Sequence, residues 1–182
     1  MPYLVQAAPR ISLAQFSRIL TQFKSPVAPN AAQCYQIIVD NGLDPAVALA
    51  FFAKESTFGT RGASVETRNW GNVRTPFKAE RETGRHPRNF VIFRSWEDGL
   101  LDWCERIVHR YIGQRKLTTP ETILPVYAPS SDGNNVQRYV DQVNTWIAKW
   151  IKEDPQPIAS SAPANTDDDP LMWAFGSDLT PL

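Results

Sequence analysis

Residues 46–53 read Ala-Val-Ala-Leu-Ala-Phe-Phe-Ala, eight apolar side chains in succession. A helix with one side in water turns a polar stripe outward every three to four residues, and this run has none. It also falls far short of the ~20 apolar residues that a membrane-spanning helix requires. Other elements of the same chain must therefore enclose it. Asp44 and Pro45 stand in front of it, an N-cap acceptor and a proline suited to the first helical position. Gly59 stands behind it as a candidate stop. The pattern predicts a buried central helix.

The rest of the chain supplies the shell. Ser12 to Gln15 is a capping-box pattern, with Phe16, Ile19, Leu20 and Phe23 on one stripe behind it. Asn30 is positioned to cap a second helix, which ends at Gly42. Ser95 opens a fourth, in which Trp96, Leu100, Trp103, Ile107 and Tyr111 recur at helical spacing. Thr119-Pro120-Glu121 starts a short fifth. A sixth, from about Val136 to Lys152, turns Val136, Tyr139, Val140, Val143, Trp146, Ile147 and Trp150 inward. Between Gly59 and Ser95 the helical period lapses: Glu82-Thr-Gly-Arg85 reads as a turn and Phe90 to Phe93 as a strand. The expected fold is mainly α (α+β), with a small β-hairpin or sheet inserted after the central helix.

A chain of 182 residues is long enough for one domain with a remainder. The expected division is an N-terminal extension over 1–10, a body over 11–152, and a Pro/Ala/Ser-rich acidic tail over 153–182. That tail ends in an aromatic-containing patch, residues 171–182, which is a candidate docking segment. The opening MPYLVQAAPR lacks the basic and apolar regions of a secretory signal. Formal charge is zero, 19 basic against 19 acidic residues, but unevenly spread. From Arg61 to Arg94 there are seven Arg and one Lys against Glu66, Glu80 and Glu82, while the tail from Glu153 holds six acids and no base. The basic stretch fits a solvated hairpin or attraction to an anionic polymer. No nucleic-acid motif accompanies it, and the neutral total argues against a nucleic-acid partner. Cys34, Cys104, His86 and His109 have no metal-ligand spacing, so no metal or organic cofactor is expected and the thiols are expected to be buried.

Glu55 is the residue best suited to chemistry. It sits at the negative end of the apolar helix, next to Phe51, Phe52 and Phe58. Helix dipole and desolvation both disfavour the carboxylate and push its pKa up. A carboxyl that keeps its proton near neutral pH can protonate a leaving glycosidic oxygen. A solvated Glu paired with Arg61 is the alternative reading.

Four segments extend this. Glu55-Ser-Thr-Phe-Gly59, Asn69-Trp-Gly-Asn72-Val-Arg74, Ser95-Trp-Glu-Asp-Gly99 and Tyr127-Ala-Pro-Ser-Ser-Asp-Gly-Asn134 follow one another ahead of the last helix. Together they resemble the glucosaminidase-type peptidoglycan hydrolases of the lysozyme-like superfamily, over about residues 11–152. The resemblance implies that Glu55 is the catalytic acid and that Tyr127 lines the cleft near the scissile bond. It implies that Asn69, Trp70 and Asn72 border the sugar groove, with Trp70 either stacking on a sugar or lying in the core. Asp132 either accepts sugar hydroxyls or serves a turn. A second carboxylate is expected on the hairpin, with Glu80 or Glu82 ahead of Glu66. Without one, the substrate's acetamido group or a lytic-transglycosylase route takes its place. The implied activity is endo-acting cleavage of an N-acetylglucosaminyl β-1,4 bond in peptidoglycan by a monomer. A muramidase or lytic transglycosylase, an inert glycan-binding module, and a scaffold acting through its tail are the rivals.

Overall fold

The computed structural model describes residues 2–130, 133 and 135–154. Their element order is α1 (Leu13–Gln22), α2 (Ala31–Asp40), α3 (Pro45–Ser56), α4 (Ser64–Thr67), β1 (Glu82–Arg85), β2 (Val91–Phe93), α5 (Trp96–Arg106), α6 (Pro120–Tyr127) and α7 (Val136–Glu153). The architecture is the expected one, mainly helical with one small antiparallel sheet after the central helix. Among the described residues no helix is long and apolar enough to cross a membrane.

Helix α3 is enclosed as its sequence demands. From Pro45 to Ala53 every residue is buried, and α1, α2 and α7 pack around it. Asp44 starts the helix by accepting from the Ala46 N–H at 3.0 Å. Its stop differs from expectation. The helix ends at Ser56, and Thr57 at φ +51° takes the left-handed position two residues before Gly59. The Ser56 hydroxyl accepts from the Gly59 N–H at 2.8 Å and holds this tight exit.

Ser12, Ser95 and Asn135 cap their helices with side-chain oxygens, which fixes where α1, α5 and α7 begin. Asn30 does not cap α2 with its side chain and instead donates to Glu97 at 2.6 Å. Helix α5 runs on into a π-helical segment, Ile107–Gln114. There the backbone bonding runs i→i+5 in place of i→i+4.

The hairpin corrects one expectation. Glu82–Arg85 is strand β1, not the turn; it pairs antiparallel with β2, Gly84 opposite Ile92 and Arg85 opposite Val91. The turn lies at 86–89, closed by a 2.7 Å bond from the Asn89 N–H to the His86 carbonyl. Residues 2–10 pack on the body: Val5 is fully buried, its N–H donates to the Thr118 carbonyl, and its own carbonyl accepts from the Asp44 N–H. At the other end Asp154 accepts from the Ser12 N–H at 2.9 Å, so α7 and the start of α1 are tied together. The tail patch at 171–182 lies outside the described residues.

Both cysteines are free and buried, as expected. Burial pushes the Cys34 thiol up to about 12 and raises Cys104 as well, so neither is a nucleophile.

Candidate active site

The C-terminal end of α3 opens onto a cleft of about 580 Å³. Glu55 and Lys54 come from α3, Asn72 from the loop after α4, Tyr127 from the end of α6 and Tyr139 from the first turns of α7. The opposite side is built by Arg106 and by Arg110 and Tyr111 of the π-helical segment, and by Arg74 and Phe90 from either side of the hairpin.

Glu55 is half-buried, and both of its carboxyl oxygens are held. The Tyr139 hydroxyl donates to Oε1. The Asn72 amide donates to Oε2 at 3.0 Å and to the Glu55 backbone carbonyl at 2.8 Å. Asn72 is itself fixed, because Ser64 Oγ donates to its Oδ1 at 2.8 Å. Desolvation raises the Glu55 pKa above the usual carboxylate range; the bonds from Tyr139 and Asn72 and the Lys54 charge oppose it. The direction matches the sequence expectation. Lys54 is turned aside by Gln142, which accepts from Nζ at 2.9 Å, and lies over the Tyr139 ring at 5.1 Å.

Tyr127 lines the same cleft, but its hydroxyl is engaged: it donates to the Gly71 carbonyl at 2.6 Å, and its ring meets Phe51 edge-on at 5.6 Å. Burial and the neighbouring Glu55 carry its pKa well above the ordinary tyrosine value, so it stays a neutral phenol. Gly71 is required by this closeness. A Cβ there would stand 2.4 Å from the Tyr127 hydroxyl and 2.4 Å from Trp103 Cδ1.

Asn69 and Trp70 do not border the groove. Trp70 is completely buried, stacked on Phe52 at 3.7 Å and 11°, with its indole N–H donating to the Ala48 carbonyl at 3.3 Å. Its flat apolar face is matched by a core phenylalanine, which settles its alternatives in favour of the core. Asn69 is equally enclosed: its amide donates to the Val73 and Val91 carbonyls and its oxygen accepts from the Val73 N–H. It is the clasp that fastens the Asn72 loop to β2.

The hairpin carboxylates also lie elsewhere. Glu82 forms a two-oxygen pair with Arg85, Glu80 is exposed, and neither lines the cleft. Glu66 sits 3.6 Å from His86 and does not line the cleft. Local sequence favours this outcome, since each hairpin acid has cations within a few residues. Among the described residues Glu55 is the only carboxylate that lines the cleft. Asp132 lies outside the described residues.

Sequence reasoning missed Tyr139, Lys54 and the three arginines as cleft residues. Tyr139 reads as one more inward position of α7, and it is buried. Only the packing of α7 on α3 shows that this inward face ends on a carboxyl. No protein-family model matches the chain, and no curated protein matches it. Among the described residues no three metal-ligating side chains are gathered into a site.

Proposed function

We propose that the chain is a glycosidase that cleaves β-1,4 bonds of an N-acetylhexosamine-containing glycan, with peptidoglycan as substrate and Glu55 as general acid. The observation that carries this reading is the setting of Glu55. It is a carboxyl with a raised pKa at the wall of an open cleft, with both oxygens oriented by neutral donors.

The chemistry follows from that setting. Protonated Glu55 gives its proton to the glycosidic oxygen as the C1–O bond breaks, and positive charge develops at C1. The carboxylate left behind is the form that the Tyr139 O–H and the Asn72 N–H stabilise, with Lys54 nearby. Those donors are in place before the reaction and strengthen as charge appears, which lowers the barrier. Tyr127 and Gly71 form a rigid wall beside the acid.

With one described carboxylate in the cleft, the geometry favours a route that needs no second one. The acetamido oxygen or the C6 hydroxyl of the substrate then captures C1. In the first case an oxazolinium ion forms and water opens it, losing a proton to the Glu55 carboxylate, which completes hydrolysis; in the second the C6 hydroxyl loses its proton to that carboxylate and a 1,6-anhydro product forms, which is lytic transglycosylation. Digestion of purified peptidoglycan followed by mass spectrometry of the soluble fragments tests the reading. Muropeptides with reducing N-acetylglucosamine ends support glucosaminidase hydrolysis, and 1,6-anhydro ends support the transglycosylase. Glycan that stays intact, bound or unbound, refutes both.

A further inference from the structure

We propose that the cleft contains an anion subsite, formed by Arg74, Arg106 and Arg110, that recognises a carboxylate carried by the glycan. This rests on the glycosidase reading above and names what distinguishes the preferred substrate.

The cations around the hairpin and the cleft differ in their partners. Arg81 pairs with Glu105 at 2.6 Å, Arg85 with Glu82 at 2.5 Å and Arg106 with Asp102 at 3.3 Å. Arg74 lies over the Phe90 ring at 5.5 Å and Arg110 over the Phe77 ring at 5.6 Å, and neither makes an ion pair among the described residues. Stacking on an aromatic face orients a guanidinium plane and leaves its N–H edge free for a planar acceptor.

Arg106 provides the built part of the site. It is 8% exposed and lines the cleft. One end of its guanidinium is anchored, Nη2 to Asp102 at 3.3 Å and to the Thr75 carbonyl. Its Nε is buried with no hydrogen-bond partner. An unmatched N–H on a buried cation is costly, and it leaves the Arg106 charge only partly compensated at the cleft wall.

Lys54 acts on Glu55, Arg110 acts on Tyr111, and Arg106 acts on both Tyr111 and Tyr127.

A homopolymer of N-acetylglucosamine offers no carboxylate. Peptidoglycan offers two: the lactyl ether carboxyl of peptide-free muramic units, and the carboxyls of attached peptides. Both present the same planar anion.

The test is calorimetric binding to the full chain carrying Glu55→Gln. The ligands are a peptide-free tetrasaccharide of alternating glucosamine and muramic units, the same oligomer with its carboxyls reduced to alcohols, and a peptide-bearing form. The acid form is expected to bind about tenfold or more tightly than the alcohol form at low salt. The gap should narrow as salt rises and with Arg110→Gln, an exposed position where the fold is not at risk. Preference for the peptide-free form assigns the lactyl carboxyl, and preference for the peptide-bearing form alone assigns the peptide. Equal affinity for all three forms, or a preference for either carboxylate-bearing form that Arg110→Gln leaves intact, overturns the subsite and leaves the glycosidase reading standing. Binding to none of the three overturns both.

Discussion

Replacing Trp70 by Phe separates a core role from a sugar-binding one. The indole is wholly enclosed, stacks on Phe52 at 3.7 Å and donates to the Ala48 carbonyl at 3.3 Å. Phenylalanine keeps the stack but removes roughly two buried carbons, at ~0.8 kcal/mol each. It also removes one neutral hydrogen bond, worth about 0.5–1 kcal/mol. The Ala48 carbonyl is not orphaned, because it lies inside α3 and keeps its helical donor. The expected loss is therefore about 2–3 kcal/mol, or roughly 5–10 °C in Tm for a domain of this size. Urea unfolding should show a lower midpoint at unchanged slope, and glycan affinity measured well below Tm should stay within about twofold of wild type. A variant of wild-type stability with weakened glycan binding would refute the enclosure of the indole.

Tyr139→Phe removes a donor that holds the Glu55 pKa down, so that pKa should rise further and the alkaline limb of the kcat/KM profile should move to higher pH; a limb that moves down contradicts the role given to the hydroxyl. Because burial raises the folded-state pKa of Glu55, the folded chain binds this proton more tightly than the unfolded chain, and stability falls as pH rises from the usual carboxylate range through the raised value. Glu55→Gln should therefore be more stable than wild type at about pH 8 and close to it at about pH 4, and denaturation midpoints at the two pH values check the sign. Gly71→Ala drives a methyl into Tyr127 and Trp103, each 2.4 Å away; a loss of about 1–3 kcal/mol and altered near-UV dichroism are expected, and unchanged thermal unfolding would contradict the contact.

What could be read in advance followed physical range. The apolar run 46–53 cannot be solvated on any side, so the central helix and its burial were legible from local sequence. So were the caps at Ser12, Asp44 and Ser95, which act over two or three residues. Thr-Gly has the residue types of a turn, while the actual reversal uses Pro87 and a left-handed Asn89 at φ +63°. Glu55 was legible because both its helix position and its neighbours are local. Its partners were not: Asn72 and Tyr139 lie 17 and 84 positions away. Trp70 and Asn69 follow the same division. Their residue types suit a sugar groove, and only the packing of α3 against the following loop shows that both face inward. The cleft arginines were visible as a basic segment in part, but Arg106 and Arg110 lie outside that segment, and only the packing of α5 and the π-helical segment that follows it brings them to the cleft.

The most direct measurement of the central claim is the rate at which reducing ends, together with 1,6-anhydro ends, are released from purified peptidoglycan by wild type and by Glu55→Gln under the same conditions. Loss of a positioned general acid removes about 100-fold or more of the rate. The account predicts an active wild type and a drop of at least that size, with the variant folded and still binding glycan. An active variant within a few fold of wild type would contradict the assignment of Glu55 as the proton donor.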